Sequence, residues 1–80
     1  MEIFTLRDEH IRLGQLLKAV GFVESGVDAK DVILQGMVQV NGETVYQRGK
    51  KCYDGDIIDL DGQQVTVRSK MNGQEEHGKS

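Results

Sequence analysis

Leu13, Leu16, Leu17 and Val20 recur at the i, i+3, i+4, i+7 spacing of one helical face, which predicts a helix from a cap at Asp8 to a stop at Gly21. Asp8 carries an acceptor for the first free backbone N–H groups, and Glu9 suits the positive end of the helix dipole. Gly21 can take the left-handed conformation that ends a helix, whereas Gly14 inside it costs about 1 kcal/mol relative to Ala. A second helix is predicted from Ser25 to Gly36, with Ser25 as its cap and Asp28 answering it three residues later. Val27, Ala29, Val32 and Ile33 are its apolar contacts. Only Phe22-Val23-Glu24 separates the two helices, so they are expected to pack as a pair.

On either side of the helices the period falls to two. Glu2-Ile3-Phe4-Thr5-Leu6 is short and β-prone, an edge strand by its pattern. Val38 and Val40 alternate with Gln39, Asn41-Gly42 is a strong hairpin signal, and Thr44-Val45-Tyr46 returns. Asp54-Gly55-Asp56 turns the chain into Ile57–Leu60, and Asp61-Gly62 turns it again into Gln63–Val67. The predicted class is α+β: a helix pair packed on a small, mainly antiparallel sheet. Residues 1–68 form one domain, and residues 69–80, with Met71 as their sole hydrophobe, read as a disordered tail.

With 38% hydrophobic and 29% charged residues the chain has a globular composition, which excludes wholesale disorder. No window reaches the roughly 18 apolar residues of a membrane span, and Met1–Thr5 lacks the pattern of a signal peptide. The single cysteine, Cys52, allows no internal disulfide. A cytoplasmic protein is expected. The net charge of -3 opposes a nucleic-acid partner unless the charges are segregated, so the placement of the ten Lys and Arg residues decides the question.

A longer pattern runs through these elements. Arg12-Leu13, Leu16, Gly21-Phe22, Ser25, Ala29-Lys30, Ile33, Gly36, Val38, Val40-Asn41-Gly42 and Gly55-Asp56-Ile57 keep their order and spacing without an inserted gap. Over roughly residues 8–62 this resembles the RNA-binding domain of the ribosomal-protein-S-four family, whose core is the alpha-L motif. That domain also occurs in pseudouridine synthases, bacterial tyrosyl-tRNA synthetases and a heat-shock protein that binds ribosomal RNA. With no room for a catalytic domain, the chain is similar to the stand-alone, YbcJ-like small proteins, which are regarded as ribosome-associated RNA binders. Arg48-Gly49-Lys50-Lys51-Cys52 also matches that subgroup. Two positions depart from the family pattern: Gly26 stands where an Arg usually follows the second cap, and Gly14 where an Asp usually follows Arg-Leu.

The candidate RNA-binding residues are Arg12, Lys18, Lys30, Arg48, Lys50 and Lys51. Arg48, Lys50 and Lys51 form the densest basic cluster, in which Arg offers two parallel bonds to a phosphate and the lysines act as point charges. A solvated hairpin loop would carry the same residues. Lys30 faces solvent on the first full turn of the second helix, near an end that favours anions, and also has Asp28 and Asp31 within reach. Lys30 keeps the family's second basic position, and the resemblance puts Arg12 and Lys18 beside the RNA face. Arg12 equally fits a stem lying over the core edge or a pair with Asp8. Gln39 and Tyr46 offer hydrogen bonding or stacking, or ordinary sheet surface.

Asp54, Asp56, Asp59 and Asp61 crowd one segment, yet they lack the ligand, Gly and Glu positions of an EF-hand loop, and Asp-Gly turns account for them. His10 and His77 have no metal-ligand spacing. Cys52 follows two lysines that would lower its pKa, while a half-buried strand position fits it better. No nucleophile, base and orienting group can be assembled. The expectation is a non-enzymatic, monomeric module that binds structured RNA, ribosomal RNA above all, without cofactor, metal or membrane. The alternative is a protein-interaction adaptor of the same fold.

Overall fold

The computed structural model describes residues 2–69. Ser69 apart, the tail expected to be disordered lies outside the described residues, as do Met71 and His77. Strands β1 (Glu2–Leu6) and β2 (Ile11–Arg12) precede helices α1 (Leu13–Ala19) and α2 (Gly26–Leu34). Then follow β3 (Val38–Val40), β4 (Glu43–Thr44), β5 (Lys51–Cys52), β6 (Ile57–Leu60) and β7 (Gln63–Ser69). The class is α+β, as the sequence predicts. Five strands form one sheet in the order β1-β7-β6-β3-β4, with β1 at its edge and parallel to β7 and every other pairing antiparallel. β2 and β5 form a separate two-stranded ladder.

The predicted helix stripe is the core. Leu13, Leu16 and Leu17 of α1 join Ala29 and Ile33 of α2 and the inward residues Val38, Val40, Ile58, Leu60, Val65 and Val67 of the sheet in one buried cluster. Fully burying a Val, Leu or Ile side chain contributes roughly 1.5–3 kcal/mol, so this cluster is what seats the helix pair on the sheet. Val20 and Val32 are half-buried at its margin. Val27 departs from expectation and is 68% exposed. It stands two residues before Ala29, about 200° around the helix, so it cannot share the face of Ala29 and Ile33.

Both helices end as predicted. Gly21 (φ 81°) donates to the Lys18 carbonyl and Phe22 to that of Leu17, while Gly36 (φ 78°) donates to Ile33 and Met37 to Val32, the paired bonds of a Schellman cap. The Ser25 Oγ accepts from the Asp28 N–H at 3.1 Å, capping α2. The start of α1 does not follow prediction. Asp8 lies in a bend, the helix begins at Leu13, and its N-cap is Arg12, whose side chain makes no capping bond. The intervening residues Ile11 and Arg12 pair with Cys52 and Lys51 instead, a non-local ladder that no helical period announces.

Candidate nucleic-acid interface

Two carbonyls of the basic loop replace the missing cap. The Leu13 N–H donates to Lys50 O at 2.8 Å and the Gly14 N–H to Arg48 O at 3.0 Å, so donors left unsatisfied at the start of α1 anchor the loop. A Cβ on Gly14 would stand 3.5 Å from the Arg48 Cβ and 3.6 Å from its carbonyl oxygen, ordinary contact distances, so the loop packs closely against the first turn of α1. The loop is therefore held by backbone bonds on both sides of Gly49.

This docking sets where the cations stand. Arg12, Lys18 and Arg48, carried by β2, α1 and the loop, line one cleft of about 310 Å³, with Gly26 at the start of α2 on its wall. Arg48 also lines a smaller cleft of about 110 Å³ with Lys30, Leu34 and Tyr46. Neither cleft has a carboxylate among its lining residues. Lys51 stands opposite Arg12 in the β2–β5 ladder, with both side chains exposed. Lys50 is exposed beside it, and neither Lys50 nor Lys51 lines the two clefts. Among the described residues no ion pair engages any of these six cations, including the Arg12–Asp8 and Lys30–Asp28 or Asp31 pairs that the sequence allows.

The carboxylates of the later strands are occupied in turns. Asp56 accepts from the Asn41 side-chain amide at 3.0 Å and from the Tyr53 N–H at 2.8 Å. Asp59 accepts from the Gly62 N–H and the Gln64 side chain, each at 3.1 Å, and Asp54 from the Ser69 N–H at 2.7 Å. Cys52 is fully buried rather than half-buried. Burial pushes its thiol up to about 11, the Asp56 carboxylate adds to the rise, and Lys50 opposes it without reversing it. The lysine-activated thiol is thereby overturned, because desolvation of the thiolate outweighs the nearby cation.

The S4 domain family model matches residues 4–68, nearly the whole described chain. The chain belongs to the S4 domain family. YbcJ of Escherichia coli (strain K12) is 35% identical over 68 residues, which are 84% of this chain and 97% of that protein. The solution structure of YbcJ, described as having an alpha-L motif involved in RNA binding, superimposes with a TM-score of 0.68 over 85% of this chain and 87% of its own. The "Probable ribosome maturation protein RlbA" of Bacillus subtilis (strain 168) is 41% identical over 54 residues, 68% of this chain and 76% of that one. The fold recurs in the 30S ribosomal protein S4e of Thermoplasma acidophilum, with a TM-score of 0.56 at 21% identity over 72% of this chain and 31% of that one.

Two further polar residues, Arg7 and Gln15, stand beside the predicted set. Gln15 and Lys18 line both the 310 Å³ cleft and a neighbouring groove of about 670 Å³, to which Arg7, His10 and the carboxylate of Asp8 also belong. Arg7 lies between β1 and β2, where nothing periodic singles it out, and Gln15 is an ordinary exposed helix residue by sequence. Neither carries a local signal. Gln39, on the outward side of β3, lines neither of the two clefts, whereas Tyr46 lies in the loop after β4 and lines the smaller one.

Proposed function

We propose that this S4 domain is a non-catalytic RNA-binding protein that grips structured RNA, ribosomal RNA foremost, by its phosphates. Arg12, Lys18, Lys30, Arg48, Lys50 and Lys51 are the proposed contacts. One observation carries the reading: cations from three separate elements, Arg12, Lys18 and Arg48, line a single cleft that includes no carboxylate. An acidic chain of net charge -3 can hold a polyanion only through such local sorting. The alpha-L motif described for YbcJ and the ribosome-maturation name of RlbA support the same reading.

A-form RNA hides its base edges in a deep, narrow groove, so a rigid cationic surface reads shape and backbone more than sequence. About four neutralised phosphates give a log–log salt slope near -3.6 on a duplex-like target. Raising salt from about 50 to about 200 mM then weakens binding on the order of 100-fold. The deciding experiment titrates a ribosomal RNA hairpin across that range with the wild type and with Arg48, Lys50 and Lys51 together replaced by Ala. A steep slope that flattens in the variant supports the proposal; a flat slope in the wild type rejects it. A ribosomal target places the protein in the cytoplasm, where the domain acts as a monomer.

The adaptor reading draws on Gly26 in place of the family's usual Arg and on the net acidity. Ribosome association that survives the triple alanine substitution selects it over phosphate binding.

A further inference from the structure

Tyr46 is 59% exposed and takes no part in the hydrophobic cluster. The other aromatic residues are accounted for: Phe4 and Phe22 pack against the core, and the Tyr53 ring sits 5.7 Å from that of His10. Among the described residues Tyr46 has no ring partner. Its ring is nevertheless seated. The Cε1 and Oη atoms lie 3.4 and 3.5 Å from where a Cβ on Gly36 would stand, so one edge of the ring packs against the end of α2. The rest of the ring lies open in the cleft of about 110 Å³ that it shares with Lys30, Leu34 and Arg48.

An exposed aromatic that shares a cleft with two cations suits one class of ligand. A paired RNA helix presents phosphates and hydroxyls, but its base faces are covered by stacking and give a tyrosine ring nothing to cover. An unpaired nucleotide presents a free π-face together with its own phosphates. We infer that Tyr46 is a stacking platform for one unpaired base, with Lys30 and Arg48 holding the phosphates on either side. The inference rests on the RNA-binding reading above and narrows its target from any duplex to a helix interrupted by a bulge, loop or end. The phosphate contacts fix the register, and the ring selects the place along the RNA where a base is free.

The test uses the full chain and two RNA hairpins that differ only by one bulged 2-aminopurine. The wild type is expected to bind the bulged hairpin about 5- to 100-fold more tightly than the paired one, and to quench the 2-aminopurine fluorescence on binding. Tyr46→Leu, which keeps apolar cover but no π-face, is expected to lose both the preference and the quenching while retaining affinity for the paired hairpin. Tyr46→Phe keeps them, because stacking does not need the hydroxyl. Equal affinity of the wild type for the two hairpins, or a preference that survives Tyr46→Leu, overturns the stacking role and leaves the phosphate grip standing. Failure of the wild type to bind either hairpin overturns both. Retained affinity of Tyr46→Leu for the paired hairpin shows that the variant is folded, so a lost preference reports the ring and not the fold.

Discussion

Arg12 and Lys51 stand directly opposite each other in the two-stranded β2–β5 ladder, both exposed. Like charges in that position repel and weaken the pairing. A ladder of two residues per strand has few other contacts to offset the repulsion, and the proposed phosphate contacts would relieve it. Lys51→Glu should therefore raise the denaturant midpoint, by about 0.2–1 kcal/mol of stability, while weakening RNA binding. A variant that is less stable and binds RNA as before would remove the argument that function opposes stability here.

Asn41 ties the first hairpin to the strand that follows it. Its side-chain amide donates to Asp56 Oδ1 at 3.0 Å, and its Oδ1 accepts from the Ile57 N–H at 3.0 Å. Asn41 also has φ 54°, in the left-handed region that Asn tolerates better than most residues. Asn41→Gly tolerates the backbone conformation, removes the side-chain bonds and adds unfolded-state entropy, together a loss of about 1–3 kcal/mol. For a domain this small each kcal/mol lowers Tm by about 4–8 °C. Asn41→Ala should cost more, because it adds backbone strain to the lost bonds. Calorimetry of the pair separates the two contributions, and equal Tm values would show that the conformation carries no strain.

Gly26 is the first residue of α2, exposed, with nothing within 4 Å of where a Cβ would stand and no left-handed φ to preserve. It lines the cleft of Arg12, Lys18 and Arg48. Gly26→Arg should be tolerated without loss of stability and should add one phosphate contact. The expected signature is tighter binding to structured RNA with a salt slope steeper by about 0.9. Tighter binding with an unchanged slope would mean that the new side chain acts through something other than a phosphate.

What the sequence could show was local. The stripe from Leu13 to Val20, the Ser25 cap, the glycine helix ends and the Asn41-Gly42 turn are each written within a few residues, and the structure repeats them. What it could not show was the pairing of Ile11–Arg12 with Lys51–Cys52, which joins segments some forty residues apart and moved the start of α1 from Asp8 to Leu13. The same blindness affects the candidate site. Six cations are visible as letters, but that the Arg48 and Lys50 carbonyls dock on the first turn of α1, with Arg48 in one cleft with Arg12 and Lys18, follows only from the tertiary arrangement.

Cys52 offers a test of that ladder by pH. Its thiol is fully buried, and burial raises its pKa from 9.0 to about 11. The folded protein thus holds the proton more tightly than the unfolded chain does, and the corresponding stability is complete below about pH 9. Between 9 and 11 the unfolded chain ionises while the folded one resists, so stability falls as pH rises through that window. Comparison with Cys52→Ala isolates the part that the thiol contributes. The variant should lose roughly 1 kcal/mol to the cavity at every pH but show a shallower decline above pH 9. Urea unfolding of both proteins at neutral and alkaline pH measures the difference, and a thiol reagent added at neutral pH should label only unfolded chains. Parallel decline of the two proteins, or rapid labelling of the native one, would mean that the β2–β5 ladder opens readily. The basic loop would then not be held against α1 in the manner the interface requires.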